Sequence, residues 1–301
     1  MIGFFNCNKP QGVSSAFVVN KIKKTLGEKC GHLGTLDPNA TGVLPIAVGK
    51  ATRFFDYFLK KDKVYIATCK FGELTTTLDP EGEIVKKEDV DVTFDDIETK
   101  ISTLKGKIMQ VPPLYSAKSI NGKRAYEYAK QNAQIELEPR EVEIFDFVCI
   151  EKLEKNVYKF KIHCSAGTYV RSLLLDLAKL LGTVSTTLSI DRQKSGPFEI
   201  VNSNSIEQIC GNPQMHLLTI EEVLKGIDIV NVDSKSLKMI ADGKMVKMSG
   251  LPEKEFLVKC GNKVVCLAHN VGGSIKSKIY LYMEEEWLSL VQVGIVIGFT
   301  R

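Results

Sequence analysis

Gly31-His32-Leu33-Gly34-Thr35-Leu36-Asp37-Pro38-Asn39-Ala40-Thr41-Gly42-Val43-Leu44-Pro45 is the stretch on which the reading of this chain turns. Four glycines and two prolines fall within the nineteen residues from Gly31 to Gly49. That punctuation predicts a long irregular segment, and such loops carry function when a rigid scaffold holds them. Asp37 stands near its centre, and Pro38 restricts the Asp37 backbone toward extended or turn geometry. Alone, an Asp-Pro dipeptide is ordinary turn chemistry.

The scaffold on either side can be read from periodicity. Upstream, Ile2 to Asn8 reads as a short strand, and Asn8-Lys9-Pro10-Gln11-Gly12 as a loop. Ser14 or Ser15 then caps a helix in which Val18, Ile22 and Leu26 recur at helical spacing, and Gly27 ends it. Downstream, Val64 to Phe71 is a strand with Tyr65, Ala67, Cys69 and Phe71 on one face. Ile97, Ile101 and Leu104 mark a helix, and Glu141 to Ile150 pairs antiparallel with Val157 to Cys164. Thr168 is placed to cap a helix with the core stripe Tyr169, Leu173, Leu177 and Leu180, stopped by Gly182. Strands and helices cluster and do not alternate, which predicts an α+β fold with a mixed or antiparallel sheet. From residue 228 the texture changes to short strand-like runs, among them Leu257, Val258, Val264 to Leu267, Ile279, Leu281 and Val293 to Phe299. The expected division is therefore 1–227 and a small β-rich unit at 228–301.

Composition narrows the class. The chain has 301 residues, 44% hydrophobic and 25% charged, which excludes a largely disordered protein. Its net charge of +4 conceals local contrasts. Residues 1–65 hold ten Lys and Arg against four Asp and Glu, residues 73–100 hold three against ten, and residues 102–140 hold seven against three. Two basic segments can line one groove for a polyanion, or each can be a solvated surface. The acidic stretch from Glu81 to Glu98 is expected to face solvent. Eight cysteines form no Cys-x-x-Cys pair, and four histidines form no His-x-x-x-His pair, so no metal site is expected. Lys9-Pro10 interrupts the start before a signal-peptide core can form, and no apolar run is long enough to span a bilayer. A cytoplasmic protein is expected, its cysteines free thiols.

The full string Gly-His-x-Gly-Thr-Leu-Asp-Pro-x-Ala-Thr-Gly-Val-Leu is far more specific than its Asp-Pro core, and it resembles the catalytic motif of the TruB family of tRNA pseudouridine synthases. Four further matches fall in that family's order. Asn8-Lys9-Pro10-x-Gly12-x-Ser14-Ser15 resembles its N-terminal motif, and Lys63-Val64-Tyr65 its tyrosine strand. Gln110-Val111-Pro112-Pro113-x-Tyr115-Ser116-Ala117-Lys118, running on through Gly122, Arg124, Ala125 and Tyr126, resembles its central motif. Cys164-Ser165-Ala166-Gly167-Thr168-Tyr169-Val170-Arg171-Ser172-Leu173 resembles its arginine motif. The resemblance spans roughly residues 3–200.

The resemblance implies isomerisation of uridine to pseudouridine at position 55, in the T arm of tRNA, with no cofactor, no metal and no guide RNA, by a monomer that binds no membrane. It assigns Asp37 as nucleophile, a role open to a carboxylate. Attack on C6 of the base, attack on C1′ of the ribose and a glycal route all stay open. Arg171 is expected to hold Asp37 ionised, in bidentate fashion, because a nearby cation favours the charged form. Tyr65 is expected to stack on the target base and serve in proton transfer, and Tyr169 to hold the far side of the pocket. A base inside a folded arm must leave its stack first, and His32 matches the flipping histidine. Lys9 is expected near the pocket, supporting the loop. Ile190 is expected against the flipped base, with Arg192 kept beside it as a substrate contact. The family's first arginine in this run is replaced by Asp191, which removes a cation near the RNA. Residues 228–301 are placed like the family's PUA-type RNA-binding domain. Two rival readings remain: a guide-dependent synthase acting on ribosomal RNA, and an RNA chaperone with a vestigial isomerase. The intact Asp37, Tyr65 and Arg171 set argues against the second.

Overall fold

The computed structural model describes residues 1–115, 119–120, 123–124 and 137–281. Ser116 to Lys118, Gly122, Ala125 and Tyr126 of the central motif, and the strand expected at Val293 to Phe299, lie outside the described residues.

Nine strands form one sheet: β1 (Gly3–Lys9), β2 (Cys30–His32), β3 (Thr41–Val48), β4 (Lys63–Phe71), β5 (Gly106–Gln110), β6 (Arg140–Glu154), β7 (Val157–Cys164), β8 (Ser185–Ser195) and β9 (Phe198–Glu199). Their order is β1-β3-β8-β4-β7-β6-β5, with β2 on β3 and β9 on β8. Every pairing is antiparallel except β3 with β8, where Asp191 faces Thr41 and Arg192 faces Gly42. The sheet is therefore mixed, and the α+β expectation holds. β4 shows why the alternation was readable. Tyr65, Ala67, Cys69 and Phe71 are buried on its core face, and Val64, Ile66, Thr68 and Lys70 are half-buried on the other.

The Gly31 to Gly49 stretch is less irregular than its glycines and prolines suggest. Residues 41–48 form β3, seven of its eight residues buried, and the irregular part shrinks to residues 33–40. The apolar run Val43 to Val48 decides the matter, because its burial between β1 and β8 outweighs the turn propensity of Gly42 and Pro45.

Helices cover the core face of this sheet. In α1 (Ser15–Leu26) the Ser14 hydroxyl accepts from the Phe17 amide, and Gly27 closes the helix at φ 67°. In α2 (Phe94–Ile101) Thr93 and Asp96 cap each other reciprocally. In α3 (Val170–Leu180) the cap is Tyr169, without a side-chain bond; the Thr168 hydroxyl donates instead to the Ser165 carbonyl. The expected stripe is also shifted: Val170, Leu173, Leu174, Leu177 and Ala178 are buried, whereas Leu180 is exposed and Tyr169 half-buried. Each fully buried leucine contributes roughly 1.5–3 kcal/mol. Ile22, Ala67, Phe160 and Leu173 belong to one continuous apolar core.

Residues 228–280 build a second sheet of β10 (Asp228–Asn231), β11 (Val246–Lys247), β12 (Phe256–Cys260), β13 (Lys263–Val271) and β14 (Ser274–Tyr280), ordered β10-β12-β13-β14-β11. One of its faces packs Val258, Cys266, Ala268 and Ile275 against Leu237 and Ile240 of α4 (Ser234–Ala241). The other contributes Leu257, Leu267 and Leu281 to a cluster with Phe4, Phe54, Phe58 and Phe198. The second sheet thus shares an apolar core with the edge of the first.

Candidate active site

Residues 33–40 are tied down almost residue by residue. The Leu33 amide donates to Pro45 O at 2.8 Å. Arg192, on β8, donates to Gly34 O at 3.0 Å, Thr35 O at 3.3 Å and Val43 O at 2.7 Å. The Ser15 hydroxyl bonds both the amide and the carbonyl of Leu36 at 2.9 Å. Pro38 O accepts from the Gly12 amide and from Lys9 Nζ, each at 3.0 Å. The Ala40 amide returns to Asp37 O at 3.1 Å. A backbone held at this many points presents the Asp37 side chain in one orientation.

That side chain meets Arg171, from the first turn of α3. Arg171 Nη2 lies 2.6 Å from Asp37 Oδ2, and Nη1 lies 3.3 Å from Asp79 Oδ2. The guanidinium also donates to Thr77 O at 2.7 Å and Tyr115 O at 2.8 Å. The bidentate Asp37 pair expected from sequence is therefore corrected: the fork is divided between two carboxylates. Asp79 was missed. It lies in the loop of the hairpin formed by Glu73–Thr75 and Ile84–Lys87, two residues before the Glu81 to Glu98 stretch read as solvent-facing. Its own Asp79-Pro80 repeats the Asp37-Pro38 pattern and was the signal available. Leu78, immediately before it, adopts φ 64°. That conformation is unfavourable for a branched side chain, at a cost of order 1–3 kcal/mol. It brings Thr77 O and Asp79 onto Arg171 while Leu78 O accepts from Thr187.

Asp37, Asn39, Ala40, Asp79, Arg171, Thr187, Ser189 and Ile190 line a small pocket. Of the residues singled out from sequence, Asp37, Arg171 and Ile190 meet here. Tyr65 stands behind, buried on β4 directly across from Arg192 in register. Burial raises the pKa of its hydroxyl, and the nearby Arg192 charge opposes that rise. Lys9 and Arg192 do not line this pocket. Lys9 is fully buried, its ammonium donating to Pro10 O, Val13 O and Pro38 O, and Arg192 is 1% exposed. Both hold the loop from below, the supporting place expected for Lys9, and Arg192 is enclosed by backbone carbonyls where a substrate contact was expected. Lys63 is a third buried cation nearby, donating to Leu59 O and Lys61 O. Desolvation brings both Lys9 and Lys63 down to about 8.

His32 is half-buried at the end of β2, opposite Ile46. Tyr169 is held through its backbone by the Gln110 amide, and its ring faces the Arg140 guanidinium at 4.6 Å. Asp191 accepts from Gln193 Nε2 at 2.7 Å and stands against Gly42. A Cβ at Gly42 would fall 2.4 Å from both Asp191 Oδ1 and Arg192 O. Glycine is required for β3 and β8 to approach this closely.

A mixed sheet carrying a loop-borne aspartate on a buried arginine is the core of a pseudouridine synthase. In solved structures the fold recurs in a complex of Cbf5, Nop10 and Gar1, with a TM-score of 0.71 and 22% identity over 95% of this chain and 86% of that one. It recurs also in an H/ACA ribonucleoprotein bound to a substrate RNA containing 2′-deoxyuridine, at 0.69 and 21% over the same shares. Residues 21–170 match the model of the TruB family pseudouridylate synthase N-terminal domain. A tRNA pseudouridine synthase B of Clostridium novyi (strain NT) is 41% identical over 245 residues, 81% of this chain and 84% of the relative. One of Clostridium kluyveri is 37% identical over 278 residues, 90% of this chain and 96% of the relative. The chain belongs to the TruB family of pseudouridylate synthases.

Proposed function

We propose that this protein isomerises uridine 55 in the T arm of tRNA to pseudouridine, with Asp37 as the nucleophile and no cofactor. The observation that carries the reading is the Asp37 carboxylate itself: fixed by its loop, open to the pocket on one side and charge-paired with a buried arginine on the other. The relatives named tRNA pseudouridine synthase B favour tRNA as the substrate. The bond from C1′ to N1 breaks, the base turns over, and a bond from C1′ to C5 forms. The C5 proton is lost and N1 gains one, so nothing is oxidised and no group is imported. A carboxylate paired with a buried arginine supplies the one nucleophile this reaction needs. Attack at C6, attack at C1′ and the glycal route all start from the same Asp37 oxygen.

In this reading Ile190 packs against the extruded base, Tyr65 lies behind it and takes part in proton transfer, and Tyr169 borders the pocket. His32 fills the gap left in the RNA stack. Residues 1–227 form the catalytic domain and 228–301 a PUA-like unit that adds RNA contact. The protein works in the cytoplasm as a monomer, without a guide RNA.

The test is tritium release from one unmodified tRNA transcript carrying [5-3H]uridine, with purified protein alone. One equivalent released per tRNA is expected, and none from a transcript with cytidine at position 55. Folded protein that releases no tritium, or releases it equally from the cytidine transcript, overturns the proposal.

A further inference from the structure

Arg192 occupies an unusual position for an arginine. It is 1% exposed, and among the described residues no carboxylate lies within ion-pair distance of its nitrogens. Burying a charge without a counter-charge is costly, and a core built for stability alone places an apolar side chain there. The guanidinium is instead surrounded by backbone oxygens, Gly34 O and Thr35 O of the catalytic loop and Val43 O of β3, and the buried Tyr65 stands opposite Arg192 across the sheet. These partners come from two strands and a loop that nothing else in this set joins.

The direction of any bond between Arg192 and the Tyr65 hydroxyl follows from chemistry. Arginine has five N–H donors and no acceptor. A Tyr65 oxygen facing Arg192 can therefore only accept, which would turn the phenolic hydrogen away from the guanidinium. The cross-strand register of β8 and β4 places the two residues opposite each other, so the contact is built into the sheet.

We propose that Arg192 is a positioning residue for the isomerisation: it fixes the Tyr65 phenol and the Gly34–Asp37 loop in one frame and sets which way the phenolic hydrogen points. This rests on the functional reading above. Arg192 touches neither substrate nor Asp37; it acts through Tyr65 and through the loop backbone. Arg192→Lys keeps the charge but cannot bond three carbonyls and the phenol together, and Arg192→Gln keeps a planar head without the charge.

The test has an arm that needs no activity. In protein labelled with 13C at the tyrosine ζ carbon, the Tyr65 resonance is identified by its loss in Tyr65→Phe. Arg192→Lys and Arg192→Gln are expected to move that resonance and leave the other tyrosines in place. The single-turnover rate at saturating tRNA should fall at least about tenfold in both, with tRNA affinity within about twofold of wild type. Glutamine should be the slower of the two. A Tyr65 resonance that stays put, or a rate within twofold of wild type, overturns the proposal. Affinity that weakens in step with the rate also overturns it, by making Arg192 a substrate contact. Should both variants fail to fold, Tyr65→Phe reads the contact from the other side. With 15N-arginine, the Arg192 Nη resonances are expected to move, and unchanged resonances overturn the proposal. Failure of wild-type protein to release tritium sinks the tRNA reading, and the resonance results stand apart from it.

Discussion

Arg171 and Asp37 meet at 2.6 Å across a steep gradient of exposure, the arginine side chain 4% exposed and the aspartate 38%. The cation is fixed inside the protein while its carboxylate partner opens on the pocket. Asp79, 12% exposed, takes the other nitrogen at 3.3 Å. One buried charge therefore serves two carboxylates of which only Asp37 is well exposed. This division gives Asp37 a cationic partner without sequestering it in a closed pair.

Neutralising each carboxylate should have different consequences. Asp37→Asn should reduce single-turnover isomerisation by more than about a hundredfold and spare tRNA binding, because phosphate contacts dominate affinity. Asp79→Asn leaves Asp37 facing the whole Arg171 charge, which damps its nucleophilicity; a fall of roughly ten- to a hundredfold is expected, again with binding intact. An Asp79→Asn protein at wild-type rate would show that Arg171 is not shared during turnover.

Gly42 adopts φ 97°, and an added Cβ would lie 2.4 Å from Arg192 O. Gly42→Ala should destabilise the protein by about 2–4 kcal/mol and slow the reaction, by forcing β3 and β8 apart. Gly182, at φ 74° with open space around its position, provides the control. Its alanine variant should lose only about 1 kcal/mol. Equal urea midpoints for the two variants would contradict a close-approach requirement at Gly42.

Stability should pass through a maximum on the alkaline side. Burial lowers Lys9 and Lys63 from 10.5 to about 8. Above pH 8 the folded chain gives up these protons while the unfolded chain keeps them, so unfolding free energy rises with pH, at most about 1.4 kcal/mol per unit for each lysine. The buried thiols act in the opposite sense. Cys7, Cys69 and Cys266 are pushed from 9.0 up to about 12, so above pH 9 the unfolded chain ionises first and stability falls. Urea unfolding at half-unit steps should show a rise between about pH 8 and 9 and a decline beyond. Lys9→Met should flatten the rise. A monotonic fall from pH 7 would refute the assignment.

His32 offers a test of steric against acid–base work. As a wedge that fills the place of the extruded base, it should be better replaced by Phe than by Gly, and a loosened T-arm hairpin should be less sensitive than whole tRNA. Acid–base catalysis would make Phe as poor as Gly and give a rate titrating near the reference histidine value of about 6.5. Single-turnover rates of both variants on both RNAs, across pH, separate the roles.

What sequence alone disclosed, and what it hid, follows from the range of the forces involved. The alternation of β4 and the Gly27 cap of α1 are local and were read correctly, and of the two serines offered for its start the structure uses Ser14. β3 was hidden because Gly42 and Pro45 imitate a loop, and its burial between β1 and β8 is a tertiary fact. The cap of α3 and the orientation of Leu180 were misread for the same reason. Within the site, Asp37 and Arg171 stood in long matching motifs. Asp79 did not, since its contact with Arg171 joins residues far apart in the chain and its acidic neighbours suggested a solvated surface. Lys9 and Arg192 were recognised as belonging to the site, but their burial shows only in three dimensions.

The bonds from Arg192 to the catalytic loop and to β3 behind it span 149 to 158 residues of sequence. At about 5–20 residues per second of synthesis, roughly 8–30 s separate the making of Val43 from the making of Arg192. During that interval Asp37 already exists on the growing chain, but its loop lacks the β8 support and Arg171 is still to come for most of the time. A ribosome that stalls before residue 192 therefore leaves a fragment with the nucleophile and no assembled site. On the proposed role of Arg192, catalytic competence waits until residue 192 has been made and has reached the loop.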